Sequence, residues 1–210
     1  MLWALVPLKQ ISRSKQRLGP VLEPEERKGL VLAMARDVLS VVRQQAAIDG
    51  VLLVSRTPEA QQLAQECGIE LFRESAQAGL SQALTEASRY VVRHHGASAT
   101  LVIPSDVPLI RAADIAAVLE QHECITLVPD TSGEGTNALL LSPPDIIAYA
   151  FGKQSFRHHA ESSCAVGITP RVVKNWRMSQ DIDLPDDLAQ LRANLSQSAT
   201  RDFLQRSGLA

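Results

Sequence analysis

The sequence predicts an α/β fold on a mostly parallel sheet, and three observations carry that reading. Short apolar runs recur along the chain and alternate with segments of helical periodicity. Those runs are continuous rather than polar-apolar alternating, as strands covered on both faces require. The chain has 210 residues, 45% of them hydrophobic and 21% charged. That is too apolar for a disordered chain and long enough to bury a core without staples. One domain over residues 1–210 is expected.

Residues 2–6 form the first apolar run, stopped by Pro7, and read as a buried strand. A polar stretch follows, ending at Gly19-Pro20. Helical periodicity covers 24–43, with Pro24 suited to a first turn and Glu25 and Glu26 suited to the positive end of the helix dipole. Residues 51–55 read as a second strand. Thr57-Pro58 caps a helix that stops at Gly68, and 69–72 read as a third strand. A helix over 80–94, closed by Gly96, leads to a strand at 100–104 and a helix at 112–121. Strands are expected at 125–129 and 137–141, a helix near 155–162, a strand at 171–174, and closing helices at 185–194 and 199–209. Residues 132–174 break the alternation, so a small β-rich insertion over one edge of the sheet is expected. Ligands of open α/β sheets bind at the carboxyl ends of strands, which singles out the loops after strands one, four and five.

The charges nearly cancel: 21 Lys plus Arg against 23 Asp plus Glu give −2. That disfavours a nucleic-acid partner, which usually goes with a basic excess, but leaves room for an acidic small substrate. Cys67, Cys124 and Cys164 are scattered and odd in number, so they predict neither a zinc site nor a disulfide framework, but buried thiols in a reducing compartment. No apolar run is long enough to span a bilayer, and the opening residues lack a basic leader; a cytoplasmic location and no membrane partner are expected. Adjacent residues on a helix point about 100° apart, so His94-His95 and His158-His159 are poor chelates, although His158 or His159 can reach an anion near Ser155. Trp3 and Trp176 are expected in the core.

The chemistry concentrates in a few loops. Lys9, Arg13, Lys15 and Arg17 follow the first strand and make either a phosphate cradle or a solvated charged loop. It is neither a Walker loop nor a GxGxxG turn. In Ile103-Pro104-Ser105-Asp106-Val107-Pro108, a strand delivers one carboxylate and a proline ends it. Asp106 there is either a ligand for a divalent cation, which takes one or two carboxylates and otherwise phosphate and water, or a turn cap. In Asp181-Ile182-Asp183-Leu184-Pro185-Asp186-Asp187, extended backbone puts Asp181 and Asp183 on one face, while Asp186 and Asp187 cap the helix begun by Pro185. Asp183, with Asp181 behind it, is the candidate second ligand. Asp130-Thr131-Ser132-Gly133-Glu134-Gly135-Thr136-Asn137 is either an anion nest or a glycine turn. Phe151-Gly152-Lys153-Gln154-Ser155-Phe156 runs into a helix that Ser155 is expected to N-cap.

Taken together, Trp3-Ala4-Leu5-Val6-Pro7-Leu8-Lys9 with Ser14-Lys15-Gln16-Arg17-Leu18, Ser105-Asp106-Val107-Pro108-Leu109, Gly133-Glu134-Gly135-Thr136-Asn137-Ala138-Leu139, Phe151-Gly152 with Ser155-Phe156, and Asp181-Ile182-Asp183-Leu184-Pro185 resemble one family. It is that of the 2-phospho-L-lactate and phosphoenolpyruvate guanylyltransferases of coenzyme F-420 biosynthesis. The resemblance spans nearly the whole chain. It implies a three-layer, Rossmann-like nucleotide-diphospho-sugar transferase fold, GTP as donor and a three-carbon phosphorylated acid as acceptor: phosphoenolpyruvate, 2-phospho-L-lactate or 3-phosphoglycerate. By the same resemblance, Asp106 and Asp183 would bind magnesium (Mg2+) with Asp181 close by. Thr136, Gly152 and Ser155 would hold the acceptor, and Lys9, Lys15 and Arg17 would face the triphosphate. Gly79 and Ser81 would lie near the nucleotide, Ser81 standing where the family usually has Asn. The alternatives are another nucleotidyltransferase of the same fold and a catalytically silent nucleotide-binding regulatory protein. A homodimer is the commonest assembly for any such chain.

Overall fold

A computed structural model describes residues 1–9, 15–75 and 78–209. Arg13 and Ser14, part of the basic segment, lie outside the described residues. The strands are β1 (Leu2–Pro7), β2 (Gly50–Val54), β3 (Glu70–Phe72), β4 (Ala99–Val102), β5 (Ile125–Pro129), β6 (Thr136–Leu141) and β7 (Arg171–Val172). The helices are α1 (Pro24–Arg43), α2 (Pro58–Cys67), α3 (Leu80–His95), α4 (Ala112–Glu120), α5 (Ser155–Ala165), α6 (Trp176–Ser179), α7 (Pro185–Asn194) and α8 (Ala199–Arg206).

The strands form one seven-stranded sheet in the order β3-β2-β1-β4-β6-β5-β7. Among the described residues, β6 runs antiparallel to both its neighbours and every other pairing is parallel. The alternation of side chains explains the continuous apolar runs. Along β1, Ala4 and Val6 enter one core with Leu30, Met34 and Val38 of α1, while Trp3 and Leu5 enter a second with Leu84, Ala87 and Val91 of α3. Successive strand residues point to opposite faces, so helices cover the sheet on both sides and both registers must be apolar.

Local chemistry sets the helix limits. Glu26 accepts from the backbone N–H of Glu23 at 2.7 Å ahead of Pro24. The Thr57 hydroxyl accepts from Ala60 N at 3.3 Å, and Gly68 ends α2 at φ 59°. Gly50 is fixed by packing: a Cβ there would lie 2.4 Å from the ring of Trp3, which stacks on His95.

The break in alternation at 132–174 is real, but its strands join the one sheet. β6 inserts between β4 and β5, and β7 adds an edge of two residues, so among the described residues no separate β-rich layer covers the edge. β6 is buried on both faces and apolar throughout at residues 138–141, as a strand covered on both sides requires. Two smaller expectations also change. Cys67 and Cys124 are half-buried and Cys164 is exposed, because α5 turns Cys164 to solvent. Trp176 is 55% exposed and lies under the Arg177 guanidinium instead of in the core. The short helix α6 has no apolar period of its own; Asn175 caps it by accepting from Arg177 N and Met178 N. Among the described residues, no helix is long and apolar enough to cross a membrane.

Candidate active site

The carboxyl ends of β1 and β4 open into a cavity of about 670 Å³. Because β6 runs opposite to them, its first residues rather than its last reach this edge. That is how Thr136 and Asn137 come to line the cavity with Lys9, Lys15, Asp106 and Asp183.

Asp106 is delivered by β4. The strand ends at Val102, Ile103 N still bonds to Leu5 O at 3.1 Å, and Pro104 donates nothing further. The backbone of Asp106 then captures the distant acidic segment, its carbonyl accepting from Ile182 N at 3.1 Å. Ile182 is fully buried. It acts as a plug whose two neighbours, Asp181 and Asp183, face the cavity, as the extended reading requires. Asp187 fixes the far end of this segment by accepting from Asp183 N and Leu184 N at 3.0 and 2.7 Å, the capping role expected of it. Asn137 fixes the near end, donating to Asp181 Oδ1 at 3.2 Å and to Ser179 O at 3.0 Å.

The result is a cluster in which carboxylate oxygens of Asp106, Asp181 and Asp183 lie within 4.8 Å of one another. Lys15 completes it. Its residue adopts a left-handed conformation (φ 55°), and its Nζ donates to Asp106 Oδ2 at 2.5 Å and to Asp183 Oδ1 at 2.6 Å. Burial alone would raise the Asp106 carboxyl, but the Lys15 ammonium, aided by Lys9, holds it below the usual carboxylate range. Burial likewise opposes the charge on Lys15, and the two carboxylates more than reverse that, raising its pKa. Asp181 is raised, by burial first and by the neighbouring Asp106 charge next. Lys9 and Arg17, both exposed, flank the opening. The described cations of the basic segment, Lys9, Lys15 and Arg17, therefore share the lining of one cavity.

The opposite wall is built from the glycine loop and α5. The loop is a turn and not an anion nest: Gly133 N goes to Asp130 O, Glu134 N to Asp130 Oδ1 and Thr136 N to the Ser155 hydroxyl. Gly135 must lack a side chain because a Cβ would lie 2.5 Å from Asp130 Oδ2. Ser155 does not cap α5; Gln154 holds the cap position, and Ser155 is buried in the first turn with its oxygen bound to Thr136 N. Its hydroxyl proton stays available to the cavity. His159 cannot hold an anion as expected. It is fully buried, and burial, followed by the charge of His158, lowers its pKa to about 4, so the ring is neutral. Its Nε2 accepts from Ala150 N at 2.9 Å, which assigns the ring proton to Nδ1, 3.0 Å from Thr136 Oγ1. Thr136 thus accepts from His159 and keeps its own proton for the cavity. Gly152, at φ 130°, lines the same wall. Leu80 also lines the cavity, with Gly79 and Ser81 on either side of it, and Ser81 donates to Phe151 O at 3.3 Å.

Sequence reasoning missed Asn137 and His159 as organisers of the site, and missed the clamp behind it. Asp114 is buried and takes a two-pronged contact from Arg177 at 2.6 and 2.7 Å and a third bond from Asn175 at 2.7 Å. This pins α6, which leads directly into Asp181. The Asp-Asn-x-Arg grouping is discontinuous in sequence, so no spacing rule exposes it.

A family model described as guanylyl transferase CofC like matches residues 2–210. The chain belongs to the CofC-like guanylyl transferase family. It is therefore a nucleotidyltransferase, as its relatives are. Among family members, a phosphoenolpyruvate guanylyltransferase of Rubrobacter xylanophilus is 40% identical over 195 residues, covering 91% of this chain and 94% of that protein. A 2-phospho-L-lactate guanylyltransferase of Methanothermobacter thermautotrophicus is 28% identical, covering 97% and 89%. A crystal structure from Desulfovibrio desulfuricans G20 assigned to the nucleotide-diphospho-sugar transferases superimposes with a TM-score of 0.77 at 16% identity, covering 99% of this chain and 94% of that one. A nucleotidyl transferase from Methanothermobacter gives 0.70 at 16% identity, covering 98% and 99%. These likenesses show the fold: a three-layer nucleotide-diphospho-sugar transferase-like architecture.

Proposed function

We propose that the protein transfers GMP from GTP to a three-carbon phosphorylated acid, releasing pyrophosphate, in coenzyme F-420 biosynthesis. The observation that carries the reading is the meeting of Asp106, Asp181 and Asp183 within 4.8 Å, opposite cations on the same cavity. Family membership and relatives named for phosphoenolpyruvate and 2-phospho-L-lactate supply the substrate class.

The donor set fits a hard divalent ion such as magnesium, being all carboxylate oxygen. The Lys15 ammonium between Asp106 and Asp183 supports the fit, since these carboxylates already take up positive charge. Asp106 and Asp183 would hold the ion and Asp181 would support it. When bound, the ion neutralises charge on the triphosphate and on the departing pyrophosphate.

The chain's own residues do the remaining work. Lys9, Lys15 and Arg17 meet the triphosphate; Lys15 turns from the carboxylates toward phosphate oxygen as the nucleotide enters. Thr136 and Ser155 offer hydroxyl protons, and Gly152 offers close backbone approach, to the acceptor's anionic groups. An acceptor phosphate oxygen, already anionic at neutral pH, attacks the α-phosphorus of GTP. That bond forms as the bond from the α-phosphorus to the α,β-bridging oxygen breaks, and the electron pair leaves on pyrophosphate. No proton has to be removed, so no general base is needed. Catalysis rests on alignment and charge neutralisation.

The test is pyrophosphate release from GTP with each of the three acids, with and without magnesium. The account expects activity with GTP and at least one acid. It expects Asp106→Asn to lower turnover by at least about 100-fold, as losing one key electrostatic group does. Equal turnover by the variant would remove Asp106 from the ion site.

A further inference from the structure

A second cavity, of about 210 Å³, adjoins the first. It shares the wall at Lys9 and Leu80, adds the apolar side chains of Val54 and Ala78, and carries two charged groups, Arg56 and Glu74. Its position is set by the sheet order. Val54 ends β2, and Arg56 and Glu74 follow β2 and β3, on one side of β1, whereas Asp106 follows β4 on the other. From β3 to β4 there are three strand spacings, roughly 14 Å in all. A nucleotide whose phosphates lie over Lys15 and the acidic cluster, and whose chain extends across Lys9, therefore places its base in the smaller cavity.

The chemistry of that cavity is selective. Leu8, Val54 and Leu80 offer apolar walls to a flat ring; Leu8 and Val54 are buried, at 1% and 2% exposure. Glu74 is half-buried. Burial raises its pKa and the nearby Arg56 charge opposes that. Arg56 also donates to Ser75 O at 3.3 Å, steadying the backbone that carries Glu74. An ionised carboxylate only accepts hydrogen bonds. Among the common bases, guanine alone presents two adjacent ring-edge donors, N1–H and the N2 amine. Adenine presents an acceptor at N1, and uracil flanks its single N–H with carbonyls.

We infer that Glu74 reads the base: its two carboxylate oxygens accept from N1–H and N2–H of guanine in the smaller cavity, making it a specificity-determining residue for the nucleotide. The inference rests on the guanylyl-transfer reading above, and it assigns to Glu74 the recognition that Ser81, bound to Phe151 O, leaves unfilled.

The experiment titrates wild-type protein and Glu74→Gln with GDP, ADP and xanthosine diphosphate by calorimetry, alongside pyrophosphate release from the matching triphosphates. Xanthine keeps N1–H but has a carbonyl at C2, so a glutamine amide complements it as a carboxylate complements guanine. Expected is a roughly 10- to 100-fold loss of GDP affinity in Glu74→Gln, the range for one two-pronged polar contact, with a gain for xanthosine diphosphate. Glu74→Ala loses guanine preference without that gain, and unchanged thermal melting of both variants excludes misfolding as the cause. A GDP-to-xanthosine diphosphate ratio unchanged by Glu74→Gln, in protein that binds GDP selectively, overturns the role of Glu74 and leaves the proposed activity standing. A swap of binding preference without pyrophosphate release from any mixture supports Glu74 and overturns the activity. Wild-type protein that does not prefer GDP overturns both.

Discussion

Replacing Lys15 by Met removes the ammonium that lies 2.5 Å from Asp106 and 2.6 Å from Asp183. Met keeps the length of the stem and leaves three carboxylates facing one another. At 4.8 Å separation and an effective dielectric of about 20, each pair of full charges repels by about 3.5 kcal/mol. Breaking a buried ion pair by removing one partner costs about 3–5 kcal/mol. The Asp183 side chain is 47% exposed, so solvent screens part of this and about 2–4 kcal/mol is expected. For a chain of this size that lowers the melting temperature by about 5–12 °C. A divalent cation replaces the lost charge, and in the variant it no longer has to displace an ammonium. Added magnesium, without nucleotide, should therefore raise the melting temperature of Lys15→Met more than that of the parent. Differential scanning calorimetry with and without magnesium chloride measures both effects. A variant that melts with the parent, or whose response to magnesium is no larger, refutes the reasoning that Lys15 and the cation share one site.

Two further outcomes follow from the walls of the site. His159 is neutral in the fold, its pKa lowered from 6.5 to about 4, so the unfolded chain binds the extra proton between those values. Its contribution is complete above pH 6.5 and is lost as pH falls toward 4; at about 1.4 kcal/mol per unit, roughly 2 kcal/mol disappears between pH 7.5 and 5. Urea unfolding at the two pH values should show that loss reduced by this amount in His159→Gln, and an undiminished loss would place the proton elsewhere. Asp114→Asn weakens the clamp on α6, costing about 2–4 kcal/mol by urea unfolding, and should also weaken magnesium binding, because α6 leads into Asp181. Magnesium affinity equal to that of the parent would make the clamp structural only.

Most of the sheet was legible because β1, β2, β4 and β5 are short, run the same way and are buried on both faces. A continuous apolar run such as Leu52-Leu53 in β2, set between two helical segments, fits a strand covered on both faces and little else. Helix limits were legible where a single residue decides them, as at Pro24, Thr57 and Gly68. The position of β6 was not, because strand order depends on pairings across the chain; the same apolar run from Ala138 to Leu141 suits an edge or an interior. Asp106 and Asp183 were recognisable as acids delivered by stopped strands or extended segments, and the resemblance added their joint role. What stayed hidden was the network that aims them. The Ile182 N–H to Asp106 O bond joins backbone to backbone, and His159 acts through a ring tautomer set by Ala150 N. Neither leaves a spacing signal. Ser155 was misplaced for a related reason: a serine before a helix usually caps it, but here burial against Thr136 N is the stronger demand.

The most direct measurement is mass spectrometry of the product formed from GTP, magnesium and an equal mixture of phosphoenolpyruvate, 2-phospho-L-lactate and 3-phosphoglycerate. A guanosine joined to one of these acids through a diphosphate, formed with equimolar pyrophosphate and absent when Asp106→Asn replaces the parent, is the predicted result. Unchanged GTP and unmodified acids, from protein shown to be folded, would contradict the account.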